Sequence, residues 1–231
     1  MNAWFVTGTD TGVGKSLVAA ALMHRLRERF ARVAGMKPVA AGSHQQADGQ
    51  WTNDDVVALR DAASIDAPLS LVNPYLLTDP VSPHIAARRD GVLIDLDRIV
   101  AALADLRARS DAVVVEGAGG FRVPLGDSLD GADMAVALGL PVVLVVGLRL
   151  GCLNHALLTA ESIASRGLQL AGWVANRIDP AMPEQQANLD LLTRRLNAPC
   201  LGDVPHRVPP DARAAAAHLH FPVRFFEGGA A

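Results

Sequence analysis

Gly8-Thr9-Asp10-Thr11-Gly12-Val13-Gly14-Lys15-Ser16 lies between a short apolar run, Ala3-Trp4-Phe5-Val6, and a segment with helical spacing. A strand, a glycine-rich turn, Lys-Ser and a helix, in that order, make a phosphate-binding loop. Successive backbone N–H groups of such a loop point inward, and the helix N-terminus adds partial positive charge. Glycine lets the backbone pass close to a phosphate where a Cβ would clash. The spacing places Lys15 to reach the β- and γ-phosphates of a nucleotide and the Ser16 hydroxyl to ligate Mg²⁺. Gly12, Val13, Gly14 and Leu17 form the surrounding cradle. The strict pattern puts its first glycine where Thr9 stands; here that glycine is Gly8, so the loop is one residue longer.

Outward from the loop, strands and helices alternate. The pattern predicts a strand over 2–7, a helix over 15–30 and a strand from Arg32 to Val39. Residues 41–52 are polar and glycine-bearing and read as a loop, and Asn53 or Asp54 caps a helix over 54–63. Residues 64–82, broken by Pro68, Pro74 and Pro80, read as an irregular excursion without a strand. Then come a helix over 95–109, a β-branched strand over 112–115, a helix over 130–138 and a very apolar strand over 141–147. A helix over 154–166, a strand over 170–176 and a helix over 184–196 follow, then short strands at 201–204 and 223–226 around a helix near 211–219. This is a three-layer, doubly wound α/β fold with a mostly parallel sheet, like that of P-loop NTPases. One domain is expected over 1–226, with a frayed tail at 227–231.

Composition narrows the partners. A net charge of −3 gives no global basic field for nucleic acid or an anionic membrane. No apolar run is long enough to span a bilayer, and the N-terminus does not read as a signal peptide. Cys152 and Cys200 are far apart in sequence and read as reduced thiols of a cytoplasmic protein.

Ligands of open parallel sheets sit beyond the carboxyl ends of the strands. That rule gathers the phosphate loop, Lys37, the run Glu116-Gly117-Ala118-Gly119-Gly120 and the segments after residues 147 and 175. Glu116 follows Val113-Val114-Val115, where a phosphate-loop protein places a second Mg²⁺ contact. Lys37 is either a solvated lysine or a second cation aimed at the γ-phosphate. Asp54 and Asp55 read locally as helix caps, with metal binding by one of them as the alternative. Asn154 reads as the N-cap of the helix it opens, a terminus that could hold a carboxylate. Asn176 is either a turn residue or an amide able to read a purine edge. His84 and His155 lack a partner for catalysis.

These blocks together resemble the dethiobiotin synthetase family along nearly the whole chain. The carriers are Phe5 to Thr11 with Val13-Gly14-Lys15, Gly35-Met36-Lys37-Pro38-Val39-Ala40, Val72-Asn73-Pro74-Tyr75, Ser82-Pro83-His84 and Val115 to Gly120 with Pro124-Leu125. Leu150-Gly151-Cys152-Leu153-Asn154-His155-Ala156 and Gly172-Trp173-Val174-Ala175-Asn176 complete them. The resemblance implies an ATP-dependent ring closure of 7,8-diaminononanoate with CO₂ or bicarbonate, through a carbamate and a carbamic–phosphoric anhydride. It implies catalytic roles for Thr11, Lys15 and Lys37 and Mg²⁺ ligands at Ser16, Asp55 and Glu116, choosing Asp55 over Asp54. Nucleotide contacts map to the loop, to Gly117, Ala118 and Gly119, and to Asn176, Arg177, Pro205, His206 and Arg207. The diamine maps to Thr11, Lys37, Ala41 and Gly42, with its carboxylate on Gly151, Cys152, Leu153 and Asn154 of the other subunit of a homodimer. Three positions depart from the family's habit: Gly12 for a charged residue, Ala41 for a serine and Arg149 for a lysine.

Three other readings compete. Regulatory ATPases of the partition and nitrogenase-iron-protein kind carry a signature lysine five residues before the loop lysine, where this chain has Asp10. Amidoligases of the cobyrinate diamide type bring a cysteine nucleophile, and neither cysteine here sits in a nucleophile elbow. A non-enzymatic nucleotide switch would leave the blocks at 37–42 and 150–156 without a purpose.

Overall fold

The computed structural model describes residues 2–226. The β-branched and apolar runs form the central strands: β1 (Asn2–Gly8), β2 (Val33–Met36), three short strands β3 (Val39–Ala41), β4 (His44–Gln45) and β5 (Trp51–Thr52), then β6 (Tyr75–Leu77), β7 (Ala112–Gly120), β8 (Val142–Gly147), β9 (Leu170–Asn176) and β10 (Cys200–Val204). Between them run α1 (Lys15–Leu26), α2 (Asp54–Ala62), α3 (Leu69–Val72), α4 (Pro83–Arg89), α5 (Leu96–Arg109), α6 (Gly131–Leu138), α7 (Cys152–Ser165), α8 (Gln185–Arg195) and α9 (Ala212–Ala216).

Six strands make one parallel sheet in the order β10-β9-β8-β1-β7-β2. Side chains alternate across it. Ala3 and Phe5 of β1 pack with Ile99, Leu103 and Leu106 of α5 and Ala135 of α6 on one face. Trp4 and Val6 pack with Val18, Leu22 and Leu26 of α1 and Ala215 of α9 on the other. Helices therefore cover both faces, as expected. The chain leaves β1 towards β2 and later crosses to β8, so β1 lies between β7 and β8 at the reversal. The loops after β1, β7, β8 and β9 share that end of the sheet.

Several boundaries differ from the sequence reading. Pro38, which has no N–H, stands between β2 and β3, so Arg32 to Val39 is not one strand. β3 pairs instead with β6, Val39 opposite Tyr75, in a separate parallel ribbon. The excursion over 64–82 thus holds a strand and a helix; each has three or four residues, too few to show a period. Residues 41–52 are not all loop, because β4 and β5 pair as a small antiparallel hairpin. β7 continues through Gly120, so Glu116 lies inside a strand. α1 stops at Leu26, whose carbonyl accepts the N–H groups of Arg29 and Phe30. α7 starts at Cys152, not at Asn154. Residues 223–226 form a 3₁₀ turn, which stacks Phe225 on Trp4 and Phe221 with ring centroids 4.8 and 4.6 Å apart. The tail over 227–231 lies outside the described residues.

α5 shows how the core holds. Asp95 caps it by accepting the N–H of Asp97, and its apolar stripe buries Leu106 fully while Val100 stays 37% exposed. Leu106→Ala is expected to cost about 2–5 kcal/mol through the cavity it leaves. Val100→Ala should cost under about 1 kcal/mol, since it removes little buried area. Urea denaturation of the two variants checks this, and equal losses would contradict the assigned packing.

Candidate active site

Four side chains from four segments meet beside the phosphate loop. Ser16 at the start of α1 donates its hydroxyl within 2.5 Å of Asp55 Oδ1 and 2.8 Å of Glu116 Oε1. Lys37 Nζ lies 2.7 Å from Asp55 Oδ2 and 2.6 Å from Glu116 Oε1, and donates to the Gly117 carbonyl at 3.2 Å. Lys37 is only 2% exposed, so it is not a solvated surface lysine. Asn53 caps α2 by accepting the Asp55 N–H, which frees the Asp55 carboxylate for Ser16 and Lys37. The local expectation that Asp54 and Asp55 cap the helix is corrected by that geometry.

Burial sets the electrostatics. Glu116 is fully buried, and burial, with the nearby Asp55 charge, holds its pKa above the usual carboxylate value against the pull of Lys37. Burial alone would lower the Lys37 pKa, but Glu116 and Asp55 outweigh it and raise it. Burial also opposes ionisation of Asp55, and Lys37 and Ser16 more than offset that. Lys15 is pushed down to about 8, first by burial and then by the Lys37 charge, and its Nζ donates to the Asp10 carbonyl at 2.9 Å. Glu116 Oε2 is buried with no hydrogen-bond partner. Ser16, Asp55 and Glu116 thus offer hard oxygen donors, one of them unsatisfied, of the kind Mg²⁺ takes. Among the described residues no cluster of three His, Cys, Asp or Glu side chains forms another metal site.

The loop divides two clefts. One, about 680 Å³, is lined by Thr11, Lys15, Ser16, Lys37, Ala41 and Asp55, and by Glu116, Ala118, Gly119 and the Pro80–Pro83 turn. The other, about 250 Å³, is lined by Leu17, Asn176, Arg177, Pro205, His206 and Arg207. Gly12 and Gly14 border both. Gly14 has φ 85°, and a Cβ there would sit 2.1 Å from Asn176 Nδ2. That amide donates to the Val13 carbonyl at 2.9 Å, so β9 and the loop are locked together. Arg177 is held by Asp203 through Nε and Nη2 at 2.8 and 2.6 Å.

Other expected residues fall outside the clefts. Val13 is buried beneath the loop, and Gly117 contributes its carbonyl to Lys37. The Gly42 carbonyl accepts from Asn53 Nδ2 at 3.1 Å. Gly151, Cys152, Leu153 and Asn154 line neither cleft of their own chain. Gly151, at φ 95°, is the N-cap of α7, and no side chain caps that terminus. Asn154 is therefore a first-turn residue with an exposed side chain, not the cap. Among the described residues His84 Nδ1 pairs with the Ser82 hydroxyl at 2.9 Å, and His155 is exposed on α7.

Two residues hold the site through contacts that the sequence reading does not assign. Asn73 Nδ2 donates to the Lys37 carbonyl at 2.6 Å, and the Lys37 N–H donates to the Val72 carbonyl at 2.8 Å. The Val72-Asn73-Pro74-Tyr75 block is thus a clasp on the catalytic-lysine candidate. The other, Asn53, caps α2, as one of the two expected candidates, and beyond that ties the 41–42 segment down through Nδ2.

The chain is 58% identical over 221 residues to the ATP-dependent dethiobiotin synthetase BioD of Aromatoleum aromaticum, covering 96% of this chain and 98% of that one. It belongs to the dethiobiotin synthetase family. The enzyme of the same name from Ralstonia nicotianae is 57% identical over 215 residues, 93% of either chain. A family profile described as an AAA domain matches residues 2–212. Among solved structures, the MinD cell division protein of Aquifex aeolicus superposes with TM-score 0.56 at 16% identity, covering 93% of this chain and 87% of that one. MinD of Pyrococcus horikoshii, complexed with Mg-ADP, gives 0.57 at 15%, covering 99% and 90%. These likenesses show the P-loop NTPase-like α/β fold and nothing of the chemistry, so the regulatory-ATPase reading rests on fold alone.

The Lys15 environment sets a pH dependence for this family member. Below about pH 8 Lys15 keeps its proton, so an attraction it exerts on a bound phosphate would be constant. Above it the free protein loses that proton while bound phosphates would retain it, so binding takes up a proton and weakens with rising pH. Affinity for ATP should be flat from pH 7 to about 8 and fall up to roughly tenfold by about pH 9. Calorimetric titration across that range checks it; a flat profile would show that Lys15 keeps its charge.

Proposed function

We propose that the 680 Å³ cleft joins a carbamate of 7,8-diaminononanoate to the γ-phosphate of ATP, and that Lys37 is the cation on which the two anions meet. Family membership makes the chain an ATP-dependent dethiobiotin synthetase, a ligase of biotin biosynthesis. The observation that carries the residue-level reading is Lys37 itself: a nearly fully buried ammonium, clasped from behind by Asn73 and aimed at the phosphate-loop cleft.

One amine of the diamine adds CO₂ and loses a proton, giving a carbamate. A carbamate oxygen attacks the γ-phosphorus and ADP leaves, giving a carbamic–phosphoric anhydride. The second amine attacks the carbonyl carbon, phosphate leaves, and the ureido ring closes. No protein nucleophile is needed. The chain's task is to position two anions and offset their repulsion. Lys15 and Lys37 supply positive charge, and Thr11 lines the same cleft, within reach of both substrates. Ser16, Asp55 and Glu116 would hold Mg²⁺, which when bound would offset charge on the β- and γ-phosphates. The adenine would occupy the 250 Å³ cleft, where Val13 engages Asn176 Nδ2 and leaves Oδ1 for an exocyclic amine.

The diamine carboxylate would lie at the uncapped N-terminus of α7, at Gly151, Cys152, Leu153 and Asn154, supplied by the partner of a homodimer. Two facts support a partner there. The segment lines neither of the two clefts of its own chain, and Leu150 and Leu158 are 94% and 56% exposed beside it. A single domain over 1–226, working in the cytoplasm with both cysteines reduced, fits this reading; no described helix is long and apolar enough to cross a membrane.

With 7,8-diaminononanoate and bicarbonate present, the protein should release ADP in proportion to diamine. ATP binding without diamine-dependent release would overturn the proposal. Lys37→Ala should lower turnover by roughly a hundredfold or more while ATP binding changes little; wild-type turnover would remove Lys37 from the chemistry. Asn154→Ala should raise the KM for the diamine more than that for ATP, measured by varying each substrate in turn.

A further inference from the structure

Asp10 has no part in the scheme above, yet it sits inside the phosphate loop. A carboxylate there repels a polyanionic nucleotide. Asp10 Oδ1 accepts the Thr11 N–H at 2.7 Å, and the Asp10 carbonyl accepts Lys15 Nζ at 2.9 Å. Its second carboxylate oxygen, Oδ2, accepts from Arg149 Nη2, across 139 residues of sequence. Arg149 stands in the turn between β8 and α7, and its carbonyl accepts the N–H of Cys152, the first residue of α7, at 3.0 Å. The two side chains are 40% and 43% exposed, so solvent screens the pair without dissolving it. One arginine therefore touches the loop that takes phosphate and sets the turn that starts α7.

We propose that Arg149 is a positioning residue of the phosphate loop. Its guanidinium cancels the Asp10 charge and holds that carboxylate on the Thr11 amide, which lets an anionic loop residue coexist with bound ATP. Through its carbonyl the same residue joins that turn to the first residue of α7. This role requires only that the protein binds ATP, and it is independent of where the diamine sits.

Charge reasoning gives opposite signs for the two partners. Arg149→Met leaves Asp10 uncompensated beside the phosphates. Asp10→Asn removes that charge and keeps an oxygen for Thr11. Calorimetric ATP titrations of the full-length protein, with thermal denaturation alongside, test this. Arg149→Met is expected to weaken ATP binding by about three- to tenfold at low salt. The loss should shrink at roughly 0.5 M salt, where the screening length falls to a few ångström. Arg149→Lys should recover most of the affinity, and Asp10→Asn added to Arg149→Met should restore it. A merely structural arginine would lower the melting temperature and give a loss that neither salt nor Asp10→Asn reverses. That result, or wild-type affinity in Arg149→Met, overturns the proposal. If Arg149→Met fails to fold, the comparison of Asp10→Asn with wild type decides: weaker ATP binding in Asp10→Asn at low salt contradicts the charge argument.

Discussion

A glutamate with no solvent exposure, in the middle of a central strand, is the constraint around which this structure is arranged. A buried carboxylate costs several kcal/mol unless a cation and hydrogen bonds meet it. Lys37 and Ser16 meet one oxygen of Glu116, and the other has no partner. Lys37 can be there only because the chain leaves the main sheet after Met36. Pro38 stands at that break, β3 moves off to pair with β6, and Asn73 grips the Lys37 carbonyl from the far side. The proline-rich excursion is thus the support of the buried ion pair.

The same constraint accounts for α2. Without a second carboxylate, Lys37 would carry its charge against a single partner whose own ionisation burial resists. Asp55 supplies the second, and its pKa is lowered even though burial opposes it. For this Asp55 must not cap its own helix, and Asn53 takes the cap instead. Asn53 and Asp55, two positions apart at one helix start, have therefore divided structural and chemical duties. One ammonium against two carboxylates leaves the group with one negative charge in excess, which is the electrostatic condition a cation site needs.

The doubly wound fold, the phosphate loop and the strand ends that carry the site were legible because they rest on local pattern. Long β-branched runs, a glycine-rich turn and amphipathic helices declare themselves within a window of residues. Asp55 was not legible from its neighbours, which argue for capping; only the family's motif selected it. The β3–β6 ribbon was missed because three-residue strands have no measurable period and are stabilised by a partner more than thirty residues away. Asn73 and Arg149 were hidden for the same reason, since each acts through a contact distant in sequence. The reading of Asn154 as a cap failed because Gly151, at a positive φ, starts the helix earlier by backbone conformation alone.

Sharing a sheet with MinD does not make this site a regulatory one, and the reason is visible in what surrounds the loop. In a switch, the groups around the γ-phosphate need only sense its presence. Here the loop opens on a cleft of about 680 Å³ that also takes in the Pro80–Pro83 turn, Ala41 and Val123, none of them part of the loop. Ordering that cleft requires the ribbon, the clasp and the caps described above, each of which costs backbone entropy. A nucleotide sensor gains nothing from that expense. An enzyme that must hold a second substrate's anion against the γ-phosphate gains the alignment on which its rate depends.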